Sequence, residues 1–125
     1  MLEVGEGRYV SYEHLKPGSV RVQVGDSVRE AQTVAQLGYT GDSTGPHLHV
    51  HVSDGSTPLG GEGLPFVLRG FTVLGSYPFI DALGAGPWTP APGGPAVRAL
   101  ELPVPNTVVD FGPSGAGPNG DPRTR

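Results

Sequence analysis

A chain of 125 residues with 36% hydrophobic and 16% charged side chains is one domain's worth of sequence, enough for a small core and too little for a second full domain. Twenty-one Gly and fourteen Pro make 28% of the chain, against a usual combined share of about 12%, and argue against any helix-rich architecture. A net charge of −4 gives no basic footprint for nucleic acid or an anionic membrane, and without cysteine there are no disulfides, thiolate metal sites or Cys nucleophile.

In chain order, Leu2-Glu3-Val4, Gly5-Glu6-Gly7 and Arg8-Tyr9-Val10-Ser11-Tyr12 read as the end of one strand, a tight turn and a second strand. A chain that opens inside a hairpin reads as N-terminally incomplete. No charged and apolar leader stands at the start, so no export signal is expected. The longest apolar stretch, Leu64 to Leu68, is five residues, far short of a membrane span. Strands are expected over Arg8 to His14, Val20 to Val24, Gln32 to Leu37 and His47 to Val52, with a last pair around Phe66 to Leu68 and Phe71 to Leu74. The fold class expected is all-β, a small antiparallel sheet domain. Patterning stops near Asp81 to Gly84, which places the domain at 1–83 and a flexible, disordered Pro/Gly-rich tail at 84–125. Within that tail, Val97 to Leu102 and Thr107 to Phe111 are the stretches able to add a strand each.

Chemistry concentrates in Gly45-Pro46-His47-Leu48-His49-Val50-His51-Val52. Alternation along a strand sends Leu48, Val50 and Val52 toward the core and His47, His49 and His51 to the other face. Alternate residues lie about 6.5 to 7 Å apart, near enough for neighbouring imidazoles to share one metal, or for one to bind it while the next holds a water. The competing reading is a solvated polar face rich in His. His14 falls at the end of a strand in which Val10, Tyr12 and His14 share a face, just before the turn Leu15-Lys16-Pro17-Gly18. The loop Gly38-Tyr39-Thr40-Gly41-Asp42-Ser43-Thr44-Gly45-Pro46 leads into the histidine strand and suits a cleft wall.

Tyr12-Glu13-His14-Leu15, then Val24-Gly25-Asp26-Ser27-Val28 with Gln32, then Gly38 to Val50 resemble, in order and spacing, the lysostaphin-like (LytM-type) zinc endopeptidases. The likeness runs from about Leu2 to Val52. It implies a metallo-endopeptidase that hydrolyses peptide bonds of bacterial peptidoglycan, in the periplasm or outside the cell. Such enzymes hold zinc with a His and an Asp of an upstream His-x-x-x-Asp and with the second His of a His-x-His. Carried over by position, His49 is a zinc ligand, while His47 and His14 are the catalytic pair that handles the water proton and the developing oxyanion. His51 stands either behind a ligand or as a plain solvated strand residue. Tyr39, Thr40, Ser43 and Thr44 line the cleft or support the ligands.

The chain departs from that pattern in one respect, since it contains no His-x-x-x-Asp: His14 is followed four residues on by Gly18 and His47 by His51. With two ligands absent, zinc is expected to be held weakly or not at all and the chain to be inactive by itself, with Asp42, Asp54 and Glu13 the carboxylates to consider as replacements. A non-catalytic cell-wall binding or regulatory module with the same fold is the alternative. Val24 to Gln32 also resembles the hairpin of biotinyl and lipoyl carriers, but the only Lys, Lys16, lies upstream of that motif, so no prosthetic group on Lys is expected.

Overall fold

The computed structural model describes residues 1–43, 45–57, 60–83 and 85–112. Contacts divide the chain into two units, residues 1–66 and 67–125. The regular elements among the described residues are strands joined by long loops, with one 3₁₀ turn, Ile80–Ala82, and both sheets are antiparallel. No helix among the described residues is long and apolar enough to cross a membrane.

The first unit is built on a three-stranded sheet in the order β1-β2-β3, with β1 Leu2–Gly5, β2 Arg8–Glu13 and β3 His49–Ser53. Glu6 and Gly7 turn the hairpin between β1 and β2, Gly7 supplying the positive φ of 70° that such a turn requires. The register of β2 on β3 pairs Tyr9 with Ser53, Val10 with Val52, Ser11 with His51, Tyr12 with Val50 and Glu13 with His49. Residues directly opposite one another share a face, so Val10, Tyr12, Val50 and Val52 form one side, and Ser11, Glu13, His49 and His51 the other. The apolar side is only half-buried, and Leu48, expected in the core, is 43% exposed. The residues buried deepest in this unit are Ser11 and Ser53.

Two strands read from pattern do not form. Residues 20–24 and 32–37 have extended stretches without strand pairing, because local polar groups take up their backbone. The Ser19 hydroxyl donates to the Lys16 carbonyl and accepts from the Gln36 amide, and the Asp26 carboxylate accepts from the Gln23 amide. What survives of the ladder is two amide bonds, Lys16 to Gln36 and Arg21 to Val34, and an isolated bridge between Leu15 and Leu37. Val20 and Val24 are exposed, so nothing apolar draws their segment onto a sheet. Likewise residues 66–68 contribute a single bridge, Leu68 to Glu101, in place of a strand.

The second unit centres on β4, Phe71–Ser76. β7, Thr107–Asp110, pairs along one edge of β4, while β6, Ala96–Arg98, and β5, Thr89–Pro90, pair in succession along the other. Composition marked a change near 84, yet strands on both edges of β4 come from beyond it, so the contact boundary falls at 66/67. Of the two stretches singled out there for an added strand, Thr107 to Phe111 contains β7, while Val97 to Leu102 shares only Val97 and Arg98 with β6. The remaining tail residues, 113–125, lie outside the described residues. β4 carries a bulge between Val73 and Gly75 opposite β7, and a Cβ at Gly75 would run into the Thr89 carbonyl and the Trp88 ring. Phe71 is the one apolar side chain among the described residues buried to 4%, with its ring meeting Phe111 edge-on at 6.4 Å between centroids.

With so few buried apolar groups, Phe71→Ala is expected to lower the stability of the second unit by about 3 kcal/mol. Urea unfolding followed by Trp88, the chain's single tryptophan, reads this directly. An unchanged midpoint would place the core of this unit elsewhere.

Candidate metal centre

All four histidines of the chain converge on one place in the first unit. Ring centroids of His14 and His47 are 4.5 Å apart, those of His14 and His49 are 6.0 Å apart, and those of His49 and His51 are 5.5 Å apart. His49 and His51 are there by strand alternation. His47 precedes β3 and is held by an isolated antiparallel bridge to Gly38. Gly38 is required at that position, because a Cβ would run into the Lys16 backbone. The chain thereby brings residues 15–16, 37–38 and 47 side by side.

His14 is the exception to alternation. One residue past Glu13, it belongs by period with Val10 and Tyr12 on the apolar face, as the sequence suggests. Its backbone instead takes the left-handed conformation, φ 59°, which redirects the side chain to the face of Glu13 and His49. A non-glycine residue pays about 1 to 2 kcal/mol for that conformation, so surrounding contacts must hold it. One is a 2.6 Å hydrogen bond between His14 Nδ1 and the Thr40 carbonyl, and the Thr40 hydroxyl in turn donates to the Leu15 carbonyl at 2.9 Å.

These partners fix tautomers. A carbonyl oxygen only accepts, so His14 Nδ1 carries the proton and Nε2 keeps the lone pair. The same holds for His47, whose Nδ1 donates to the Gly45 carbonyl at 2.8 Å, with Ser43 Oγ at 3.1 Å from the same nitrogen. Ser43 Oγ also donates to the Gly45 carbonyl at 2.8 Å, so Ser43 and Gly45 together brace the His47 ring. Both rings thus offer Nε2 for a metal or a proton.

Glu13 is the residue that pattern reading undervalued. It lies opposite His49 in the ladder, and its carboxylate oxygens stand 3.5 Å from His49 Nδ1 and 3.5 Å from His51 Nδ1. Glu13, His14 and His49 each offer a ligand atom within 4.8 Å of the others. Two imidazoles and a carboxylate are the donor number and type of a three-ligand zinc site that keeps one position open, so the residues present fit such an ion. Asp54 is engaged elsewhere, accepting from the Glu62 amide at 2.7 Å. Of the expected cleft residues, Thr40 and Ser43 touch the histidine cluster, Tyr39 is 57% exposed beside them, and Thr44 lies outside the described residues. The signal for Glu13 was the cross-strand register, which no single-strand periodicity contains.

Residues 1–60 match the family model of Peptidase family M23. No curated protein and no solved structure matches the chain.

If the left-handed backbone at residue 14 is held against its own strain, His14→Gly and His14→Ala both lose the Thr40 hydrogen bond, yet only alanine keeps the strain. The glycine variant is expected to be the more stable of the two by about 1 kcal/mol, read from native-state amide exchange across β2 and β3. Equal protection in the two variants would remove the strain from the account.

Proposed function

We propose, from the match of residues 1–60 to the model of Peptidase family M23, that this segment is the His-x-His part of a zinc-dependent hydrolase of peptidoglycan peptides, acting in the periplasm or outside the cell. The observation that carries the reading is the convergence of His14, His47 and His49 on one face, with Nδ1 of His14 and of His47 fixed by backbone carbonyls. In that reading His49 holds the zinc, which when bound polarises the scissile carbonyl and brings the pKa of its water toward about 7.

His47 and His14 do the proton work. Each presents a lone pair at Nε2 and, once protonated there, a donor to a developing oxyanion. Their rings are close enough, at 4.5 Å, to serve the same reacting carbon from neighbouring positions. The bond from Nδ1 to a carbonyl fixes each ring's orientation and stabilises the protonated ring formed in the step. Ser43 holds His47 in place and Thr40 holds His14, which gives these loop residues positioning roles.

The two remaining ligands that the resemblance implies, a His and an Asp spaced as His-x-x-x-Asp, are not in the 125 residues. The chain alone is therefore expected to release no soluble fragments from peptidoglycan in the presence of zinc. Joining a segment with His-x-x-x-Asp ahead of Met1 is expected to confer cleavage. In that extended protein His47→Ala should cost roughly two to four powers of ten in turnover with zinc retained, as loss of an acid or base does. Loss of zinc in that variant would make His47 a ligand, and rapid cleavage by the unextended chain would contradict the assignment of ligands.

A further inference from the structure

We propose that the chain carries a divalent metal site of its own, made by Glu13, His14 and His49, with a ligand set that differs from the one implied by the family resemblance in two of its three members. The cation it fits is a d-block ion that accepts imidazole and carboxylate together, Zn²⁺ above all.

One distance within the set, Glu13 to His49, separates it from a well-made ion pair, and Glu13 stands equally far from His51, outside the set. Glu13 Oε2 lies 3.5 Å from His49 Nδ1, and Glu13 Oε1 lies 3.5 Å from His51 Nδ1. Nitrogen-to-oxygen hydrogen bonds fall at roughly 2.7 to 3.2 Å, so both contacts are too long to be good ones. Ligand bonds of about 2.0 to 2.2 Å in tetrahedral array set neighbouring ligand atoms roughly 3.3 to 3.5 Å apart, the spacing of Glu13 and His49, while the His14 ligand atom lies within 4.8 Å of both. Nor does the pair hold the fold together: with His49 52% and Glu13 35% exposed in their side chains, solvent screens their attraction, and exposed pairs of this kind contribute little.

The third member is prepared in the way ligating histidines are. The ring of His14 is fixed through Nδ1–H to the Thr40 carbonyl, which leaves Nε2 as the donor atom and sets its direction in advance. Its left-handed backbone is what brings it to Glu13 at all, and strain of that kind persists where surrounding structure over-determines it. A cation between three groups drawn from the end of β2 and the start of β3 ties the two strands together where their ladder ends. It also occupies His14, so that holding the ion and handling a proton compete for the same imidazole. The site is thus one of binding without hydrolysis, and it stands whether or not the proposed peptidase chemistry does.

Co²⁺ is the probe, since it takes the same donors as zinc and reports its coordination in visible absorption. Titration of the full chain is expected to reach one equivalent with the intense bands of a low-coordinate ion. Glu13→Gln is expected to weaken binding tenfold or more, and His14→Asn and His49→Asn likewise, while Asp42→Asn, which removes a carboxylate outside the cluster, leaves it unchanged. Paramagnetic broadening in the unmutated chain should be greatest at Glu13, His14 and His49, a readout that no folding defect can mimic. Stoichiometric binding that survives Glu13→Gln would make the site one of histidines only, and broadening centred on His47 or His51 would relocate it. Absence of binding at equimolar Co²⁺ would overturn the proposal and leave the match of residues 1–60 to the peptidase family model untouched.

Discussion

Strand alternation alone would put His14 and Glu13 on opposite faces of the sheet, and the site exists because the backbone at His14 refuses that geometry. At φ 59° the chain turns back on itself one residue after β2 ends, and the imidazole joins Glu13, His47 and His49. A left-handed histidine is costly, so something must hold it. The 2.6 Å bond from its Nδ1 to the Thr40 carbonyl does so and simultaneously selects the tautomer, which makes one interaction responsible for both the position and the chemical state of the ring.

A short set of loop contacts keeps that carbonyl in reach. Gly38 lets the loop pass against the Lys16 backbone where no side chain fits, and the bridges Leu15 to Leu37 and Gly38 to His47 carry the same loop on to β3. Ser43 and Gly45 then brace His47. These are backbone and short polar contacts and not an apolar core, which fits a unit whose deepest side chains are Ser11 and Ser53. The structure spends its few strong local interactions on the histidines, as expected where positioning matters more than bulk stability.

Much of this was legible in the sequence. The hairpin at Gly5-Glu6-Gly7, the all-β class and the shared face of His49 and His51 follow from turn chemistry and a period of two. Conversely, the segments around Val22 and Val34 looked like strands because apolar residues alternate there, whereas the Asp26 carboxylate accepts from the Gln23 amide and the Ser19 hydroxyl from the Gln36 amide. The position of His14 was misread for a related reason: periodicity assumes an unbroken strand, and a single left-handed residue inverts it. Glu13 stood in the sequence as one of three candidate carboxylates, and the β2–β3 register, a long-range property that no local pattern encodes, singles it out by setting it opposite His49. The division at 66/67 is of the same kind, since β4 finds its partners in residues that composition alone marks as tail.

The account turns on two histidines being held through Nδ1 by carbonyl oxygens, and proton-detected ¹⁵N correlation of the imidazoles tests that without metal or substrate. At a pH where the rings are neutral, His14 and His47 are predicted to show the proton on Nδ1 and the lone pair on Nε2. Finding the proton on Nε2 of His14, the tautomer that neutral histidine prefers in water, would mean that the Thr40 bond is absent and that the arrangement built on it is wrong.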